Sequence, residues 1–158
     1  MNIYNSYLFQ HTLYNTFGSF FGGGIAKTIK SINRILFATD ISYKAKIGKG
    51  CKFPHMGLGV VIGDGTNIGS NCIIRQNVTI GGKWIGGNYE FPTIGDNCVI
   101  GAGTVIIGNI HLGSNVIVGA NAVVTKNFPD NCVIAGTPAK IIKINMDSKC
   151  DTDTIKSV

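Results

Sequence analysis

Aliphatic residues recur at every sixth position through the middle of the chain, and glycine follows most of them. The first run is short: Ile41, Ile47 and Phe53. Two longer runs follow: Ile62, Ile68, Ile74 and Ile80, then Ile94, Ile100, Ile106, Leu112, Val118 and Val124. A period of six fits neither the 3.6-residue repeat of a helix nor the alternation of a single strand. It is typical of a parallel β-helix, in which each hexad contributes a short strand and a corner.

The repeat is interrupted twice. Nine residues instead of six separate Phe53 from Ile62, so three residues between Pro54 and Gly59 must bulge outward. Fourteen residues separate Ile80 from Ile94, which predicts an excursion within residues 81–93. Functional residues commonly lie where a rigid repeat is interrupted, because loops carry sites on a scaffold. Both interruptions are therefore candidate sites.

The repeat divides the chain into three segments. Residues 41–145 are predicted to form the β-helix domain, residues 1–40 an N-terminal helical cap, and residues 146–158 a polar tail. Within the cap, residues 25–37 predict an amphipathic helix. Its apolar face comprises Ile25, Ile29, Ile32 and Leu36. A solenoid needs its open end covered, which favours a cap; the alternative is a basic helix that lies on a membrane surface.

Composition and charge narrow the class of protein. The chain has 22 glycines and only 14% charged residues, as expected if many residues line a tube and turn corners. Its net charge of +6 favours anionic partners such as nucleic acid, a phosphorylated cofactor or an anionic membrane. The lysines are dispersed rather than interleaved with aromatic residues, which argues against nucleic-acid binding.

The cysteines predict a reducing compartment. There are five, an odd number, and none forms a C-x-x-C pair. With no signal peptide and no apolar run of ~18 residues, we expect a cytoplasmic protein with reduced thiols. Cys51, Cys72 and Cys98 each come four residues after a hexad aliphatic, where other hexads have small residues. This spacing predicts an inward position at a tight corner.

Of the three histidines, His55 is the candidate for catalysis because it lies in the bulge. An imidazole can take a proton from a hydroxyl and return it near neutral pH. If three hexads close one turn, Asp40, fifteen residues earlier, can lie beside His55 and fix its tautomer. The alternative for Asp40 is a turn or helix-terminus residue. The histidines have no metal-ligand spacing, so no metal site is predicted.

A set of motifs extends this interpretation over residues 40–143. They are Ala45-Lys-Ile-Gly, His55, Gly59-Val-Val-Ile-Gly63, Gln76-Asn-Val-Thr-Ile-Gly-Gly82, Pro92-Thr-Ile-Gly-Asp, Ile100-Gly-Ala-Gly, Val118-Gly-Ala-Asn and Ala135-Gly-Thr-Pro-Ala-Lys140. In these motifs the chain resembles the left-handed β-helix acyltransferases with hexapeptide repeats. The serine O-acetyltransferases and the short sugar or polysaccharide O-acetyltransferases are the most similar members.

The resemblance implies an all-β, left-handed parallel β-helix that assembles as a homotrimer, with active sites between subunits and acetyl-CoA as co-substrate. It implies His55 as general base and Asp40 as the residue that orients it. The backbone at Gly82, Ala102 and Ala120 matches positions that meet the cofactor. Lys126 and Lys140 match positions near its phosphates, where lysine can act as a point charge.

Departures from the serine enzymes affect the predicted acceptor. Pro54 precedes His55 where they have an aspartate, Glu90-Phe91 replaces an arginine and a histidine, and one extra residue lies between His55 and Gly59. The excursion aromatics Trp84, Tyr89 and Phe91 suit a sugar ring. We therefore predict O-acetylation of a sugar of a surface polysaccharide or its precursor. The alternatives are L-serine as acceptor and, in a different class, a non-catalytic trimeric binding module.

Overall fold

The structure is a computed structural model that describes residues 3–17 and 23–144. Its two helices are α1 (Ile3–Phe17) and α2 (Gly23–Phe37). α2 begins at Gly23, two residues before the predicted helix, because the glycines there join its first turn. The predicted polar tail, residues 146–158, lies outside the described residues.

Short strands make up most of the remainder. In chain order they are β1 (Asp40–Ile41), β2 (Lys46–Ile47), β3 (Val61–Ile62), β4 (Asn67–Ile68), β5 (Ile73–Ile74), β6 (Thr79–Gly81), β7 (Lys83–Ile85), β8 (Asn88–Glu90), β9 (Thr93–Ile94), β10 (Val99–Ile100), β11 (Val105–Ile107), β12 (His111–Leu112), β13 (Ile117–Val118), β14 (Val123–Val124), β15 (Cys132–Ala135) and β16 (Lys140–Ile144). A 3-10 turn spans Pro54–Gly57 between β2 and β3.

The strands stack into three sheets that the chain visits in rotation. The first sheet has the order β1-β3-β6-β11-β14, the second β2-β4-β9-β12 and the third β5-β10-β13-β15-β16. Pairing is parallel except where β16 runs antiparallel to β15. Val99 pairs with Ile117, eighteen residues further on, so three hexads complete one turn as predicted.

The six-residue ladder forms the core. All thirteen hexad aliphatic or aromatic positions are buried, none more than 9% exposed. Each fully buried side chain of this size contributes roughly 1.5–3 kcal/mol of gross stabilisation. The ladder continues beyond Val124 through Phe128 and Ile134, which stack under Leu112 and Val118. The period of six did not predict this last layer, because only four residues separate Val124 from Phe128.

The cysteines occupy the inward corner positions that their spacing predicts, and all four described ones are buried. The thiols of Cys51, Cys72 and Cys98 each donate to a glycine carbonyl of the next coil, at 3.2, 3.2 and 3.1 Å. The hydrogen bond with Cys72 and burial raise the pKa of Cys51, and burial raises the pKa of Cys132. Both therefore stay protonated at neutral pH.

Both interruptions are confirmed by the strand register. Asp40 pairs with Val61, twenty-one residues on, which is one turn plus the three residues of the bulge. Thr79 pairs with Val105, twenty-six residues on, which is one turn plus eight residues of the excursion. β7 and β8 form an antiparallel hairpin within the excursion. Gly86 and Gly87 form its turn with φ of +56° and +93°, as a two-residue hairpin loop requires.

Helix α1 packs on the first coil. The Tyr7 hydroxyl donates to Ala45 O at 2.7 Å and accepts from Ile47 N at 3.2 Å. Burial raises the pKa of Tyr7 to about 12. His11 Nδ1 lies 2.7 Å from Tyr43 O, so a second side chain of α1 bonds to the same coil. These side chains hold α1 against the start of the β-helix.

Helix α2 buries residues that lie outside the apolar face identified from the sequence. It buries Ala26 and Asn33, while Ile25, Ile32 and Leu36 of its apolar face remain about half exposed or more. Whether residues 1–40 act as a cap in the way predicted does not depend on this face alone, and the cap stays a prediction. Asn33 Nδ2 donates to Ser6 Oγ of α1 at 2.8 Å, a hydrogen bond between the two helices. Neither described helix is long and apolar enough to cross a membrane, and the cytoplasmic location stays a prediction.

Candidate active site

The bulge is a three-residue insertion at one corner of the coil, between the third sheet and the first. At the regular corners above it, Asn77 N bonds to Leu58 O, Gly103 N to Gln76 O and Asn121 N to Ala102 O. Leu58, Gln76 and Ala102 therefore occupy equivalent positions. Counting from the strands on either side assigns residues 55–57 to the insertion. His55 is its first residue.

The insertion has an unusual backbone. His55 (φ 53°, ψ 35°) and Met56 (φ 57°, ψ 23°) are both in the left-handed region, and Gly57 follows with φ of +66°. A residue with a Cβ pays roughly 1–2 kcal/mol for this conformation. Such strain persists only where the surrounding structure enforces it, and it concentrates at functional sites. His55 is the one residue of this strained pair that can transfer a proton.

The imidazole of His55 is exposed and makes no hydrogen bond to any described residue. His111 lies outside the bulge, on β12, where it is also exposed. His11 is engaged with Tyr43 O and with Asn15, whose Nδ2 lies 3.0 Å from His11 Nε2. His55 is therefore the histidine that combines an accessible ring with a strained, enforced backbone.

The structure does not show the predicted hydrogen bond between Asp40 and His55. Asp40 Oδ1 is buried and lies 2.6 Å from Lys30 Nζ, while Oδ2 lies 3.6 Å from the Arg34 guanidinium. Both cations belong to α2, so this helix supplies the charge that compensates Asp40. The segment that follows the bulge does lie beside Asp40, because Asp40 N donates to Val60 O at 2.8 Å. Sequence reasoning missed Lys30 and Arg34, whose separation of four residues on one helix face was the available signal.

Two of the predicted cofactor positions meet at one cavity. Ala102 and Ala120 line a cavity of about 190 Å³ together with Arg75, Val99, Gly101, Ile117 and Val118. Its walls are mostly apolar and its small side chains leave the backbone accessible. Arg75 is a cation at its edge that sequence reasoning missed, and guanidinium groups bind phosphate well. A ligand with an apolar arm and phosphate groups fits this lining.

The other predicted cofactor positions lie elsewhere. Gly82 follows β6 and Lys126 follows β14, so both are at the opposite edge of the first sheet from Ala102 and Ala120. The Lys126 ammonium lies 5.5 Å from the centre of the Phe128 ring. Lys140 is exposed at the start of β16. One chain therefore does not gather all five positions around one cavity.

The excursion aromatics divide into two kinds. Trp84 and Tyr89 pack edge-to-face across the hairpin, with ring centroids 5.2 Å apart, and each is 61% exposed. The Phe91 ring packs against the coil instead. A Cβ added at Gly63 or Gly82 would approach this ring to 2.8 or 2.7 Å, so only glycine allows the close contact. Phe91 anchors the hairpin, and Trp84 and Tyr89 form its free aromatic surface.

No metal centre is evident in the part of the chain that the structure describes. Within residues 3–17 and 23–144, no three histidine, cysteine, aspartate or glutamate side chains come together to hold an ion. At the bulge the structure shows an exposed imidazole, and the Asp40 carboxylate is paired with Lys30 and Arg34.

Comparison with known proteins places the repeats in a family. Residues 91–126 match the model of the bacterial transferase hexapeptide (six repeats), and residues 59–83 match the hexapeptide repeat of succinyl-transferase. The chain is 41% identical over 138 residues to the serine acetyltransferase of Staphylococcus aureus strain Mu50, covering 87% of this chain and 62% of that protein.

Solved structures give the same result. A soybean serine acetyltransferase complexed with serine superposes with a TM-score of 0.79 at 36% identity, over 89% of this chain and 56% of the other. A serine acetyltransferase in complex with CoA gives a TM-score of 0.77 at 33% identity, over 89% and 55%. This likeness establishes the left-handed β-helix with N-terminal helices. The chain spans about half to three fifths of the length of the proteins it matches.

Proposed function

The chain belongs to the hexapeptide-repeat acyltransferase family, close to the serine O-acetyltransferases, and from this premise we propose that it transfers an acetyl group from acetyl-CoA to a hydroxyl. The observation that carries the proposal is the position of His55. It is exposed, it lies in a strained three-residue insertion, and the rest of that corner is regular. Backbone strain of this kind clusters at functional sites.

We propose L-serine as the acceptor. The relatives named above are serine acetyltransferases, and one of the similar structures is a complex with serine. The comparisons give no support to the sugar acceptor that the excursion aromatics predict. A sugar remains the second candidate for one reason: Trp84 and Tyr89 present an exposed aromatic surface beside the coil, where a sugar ring could stack.

The proposed reaction is a direct transfer. His55 takes the proton of the acceptor hydroxyl as its oxygen attacks the thioester carbonyl. The new C–O bond forms, the C–S bond breaks, and the departing thiolate takes the proton from His55. Backbone N–H groups, with Gly82 as the candidate, stabilise the oxyanion. Asp40 lies on β1, which pairs with the strand that follows the bulge. Its carboxylate pairs with Lys30 and Arg34, so its role as the residue that orients His55 stays a prediction.

Coenzyme A would be held by the cavity at the third sheet. Ala102 and Ala120 leave room for its apolar arm, and Arg75 provides a cation for its phosphates. Lys126 and Lys140 are further candidate contacts to the phosphates.

We propose that three copies assemble to complete each site. His55 precedes β3 and the excursion follows β6, so in one chain they lie at opposite edges of the first sheet. A neighbouring copy could bring its excursion, with Gly82 and Lys126, to the His55 edge of the next chain. Sedimentation equilibrium should then give three times the chain mass of 16.8 kDa.

The activity test is thiol release from acetyl-CoA with a panel of acceptors. The panel comprises L-serine, free sugars and nucleotide sugars, with water as the blank. We expect release with L-serine above the blank and loss of release in His55→Ala. Thiol release with a sugar but not with L-serine would make the sugar the acceptor. Thiol release with no member of the panel would contradict the proposed activity.

Calorimetry, together with the thiol-release assay, distinguishes an enzyme from a non-catalytic binding module. If the chain binds coenzyme A and releases no thiol with any acceptor, the cavity serves binding alone. If Arg75→Met weakens coenzyme A binding and Lys49→Met does not, the cavity at the third sheet is the binding site. Lys49 is a suitable control because it is an exposed lysine away from that cavity.

A further inference from the structure

Hydrogen bonds from residues 37–40 hold the strained insertion in place. Three bonds join this segment to the insertion and the residues that follow it. Asp40 N donates to Val60 O at 2.8 Å, Gly59 N donates to Phe37 O at 3.3 Å, and the Thr39 hydroxyl lies 3.0 Å from Gly57 O. The third bond is the one made by a side chain and the one that reaches the insertion itself.

Thr39 is placed for this contact. Its side chain is only 1% exposed, and its hydroxyl proton is shared between Gly57 O at 3.0 Å and Phe37 O at 3.1 Å. A buried hydroxyl that loses its hydrogen-bond partners destabilises the folded state, so the folded protein favours this contact. Gly57 directly follows the strained pair His55-Met56, and the bond therefore fixes the far end of that pair.

The opposite side of Gly57 is also occupied. A Cβ at Gly57 would lie 3.1 Å from Ile3 Cγ2 of α1, a side chain that is 2% exposed. Gly57 is thus held between Ile3 and the Thr39 hydroxyl. With Gly57 close to both Ile3 and the Thr39 hydroxyl, the left-handed pair His55-Met56 that precedes it has little room to relax.

We infer that Thr39 is a positioning residue. Its hydroxyl holds the insertion in place and so sets the position of His55 relative to Asp40, which directly follows Thr39. This inference rests on the proposed role of His55. It assigns a part in catalysis to a buried threonine that lies eighteen residues before its partner Gly57, and the repeat pattern does not indicate this part. The sequence shows an extra residue between His55 and Gly59, and the Thr39 hydroxyl accounts for how this longer bulge stays in place.

The test compares Thr39→Val, which removes the hydroxyl at nearly constant volume, with Thr39→Ser, which keeps it. Thr104→Val is the matched control, because Thr104 is buried and its hydroxyl donates to Gly119 O at 3.1 Å in a regular corner. Amide hydrogen exchange is followed by mass spectrometry in peptides that cover residues 54–60 and residues 69–74. The kinetics of thiol release are measured on the same samples.

In Thr39→Val we expect exchange in residues 54–60 to accelerate by about three- to tenfold, with residues 69–74 unchanged. We expect kcat to fall by roughly tenfold while the KM for acetyl-CoA is retained, since the cavity is elsewhere. Thr39→Ser should behave like the wild type in both measurements. Thr104→Val should leave the exchange of residues 54–60 unchanged.

Two results would overturn the inference. Wild-type exchange of residues 54–60 in Thr39→Val would show that the hydroxyl does not hold the insertion. Faster exchange with unchanged kcat would show that the hydroxyl does not position His55 for the reaction. If the wild type releases no thiol with any acceptor, the proposed function fails on its own, and the exchange data still decide whether Thr39 holds the loop.

Discussion

The corners between the third and first sheets exist in two forms in the same coil. At the regular corners a single residue adopts positive φ, and it is Asn77, Gly103 or Asn121. At the interrupted corner four residues do so: His55, Met56, Gly57 and Gly59. Gly59 is the counterpart of the regular residue, because a Cβ there would collide with the Asn77 side chain stacked above it.

This difference separates two roles within one architecture. The regular corners use asparagine and glycine, the residues for which the left-handed conformation costs least, and so they serve stability. The interrupted corner places a histidine and a methionine in that conformation, which is less favourable for residues that carry a Cβ. Mutations in the two forms should therefore have different effects: those in the regular coil should change folding, and those in the insertion should change activity.

The largest expected effect is in the regular coil. Ile100 is 0% exposed on β10, and Ile100→Asp buries an unpaired carboxylate in the aliphatic ladder. We expect a loss of more than about 4 kcal/mol in the free energy of unfolding, enough to unfold the domain. Circular dichroism and thermal unfolding measure this.

Ile107→Asp is the control for that substitution. Ile107 lies on β11 and is 42% exposed, so a carboxylate there meets solvent. This variant should retain the wild-type circular dichroism spectrum. A folded Ile100→Asp protein would contradict the assignment of the ladder as the source of stability.

The second effect is on chemistry at the interrupted corner. His55→Ala should lower turnover by a factor on the order of 10²–10⁴ without lowering the thermal unfolding temperature. His111→Ala is the matched control, because His111 is also exposed but stands on a regular strand. If His55→Ala keeps near wild-type turnover, the insertion does not supply the base.

Most of the regular part could be predicted from sequence, and the reason is physical. A buried ladder requires an aliphatic residue at every inward position. The spacing of the aliphatic residues therefore shows the period of six and its two interruptions. The same spacing predicted that three residues bulge before Ile62 and placed Cys51, Cys72 and Cys98 inward. It could not predict the layer of Phe128 and Ile134, where the spacing changes.

The candidate site was less predictable, because it depends on contacts between the six-residue repeat and segments outside it. The position of His55 followed from the interruption, but the Asp40 carboxylate meets Lys30 and Arg34 instead of the imidazole. The amphipathic pattern of α2 did not indicate that Ala26 and Asn33 are its buried residues. Amphipathicity tells which side of a helix is apolar and not what that side will meet.

The third prediction concerns the helix that packs on the first coil. Tyr7→Phe leaves Ala45 O and Ile47 N without their shared partner, and we expect a loss of roughly 1–3 kcal/mol in the free energy of unfolding. Tyr89→Phe, on the exposed hairpin, should cost much less. Equal losses in the two variants would contradict the role of α1 as a cap bonded through Tyr7.

The same tyrosine gives a pH dependence. Burial raises the pKa of Tyr7 from its ordinary value of 10.0 to about 12, so the folded state favours the neutral hydroxyl. This contribution to stability is complete below pH 10 and is lost as the pH rises through about 12. Urea unfolding of the wild type between these pH values should show the decline, and Tyr7→Phe should show a smaller one.

The smallest effect tests the strain at the interrupted corner directly. Met56→Gly removes a Cβ from a residue with φ of 57°, and we expect the free energy of unfolding to rise by about 1 kcal/mol or less. Leu58→Gly is the control two residues away, where φ is −48° and glycine adds only chain entropy to the unfolded state. That variant should lose roughly 0.5–1 kcal/mol. Opposite signs in two neighbouring exposed positions would identify backbone strain as the cause, since both substitutions delete a partly exposed apolar side chain. A loss in Met56→Gly equal to that in Leu58→Gly would mean that the insertion is unstrained and that His55 is held by its contacts alone.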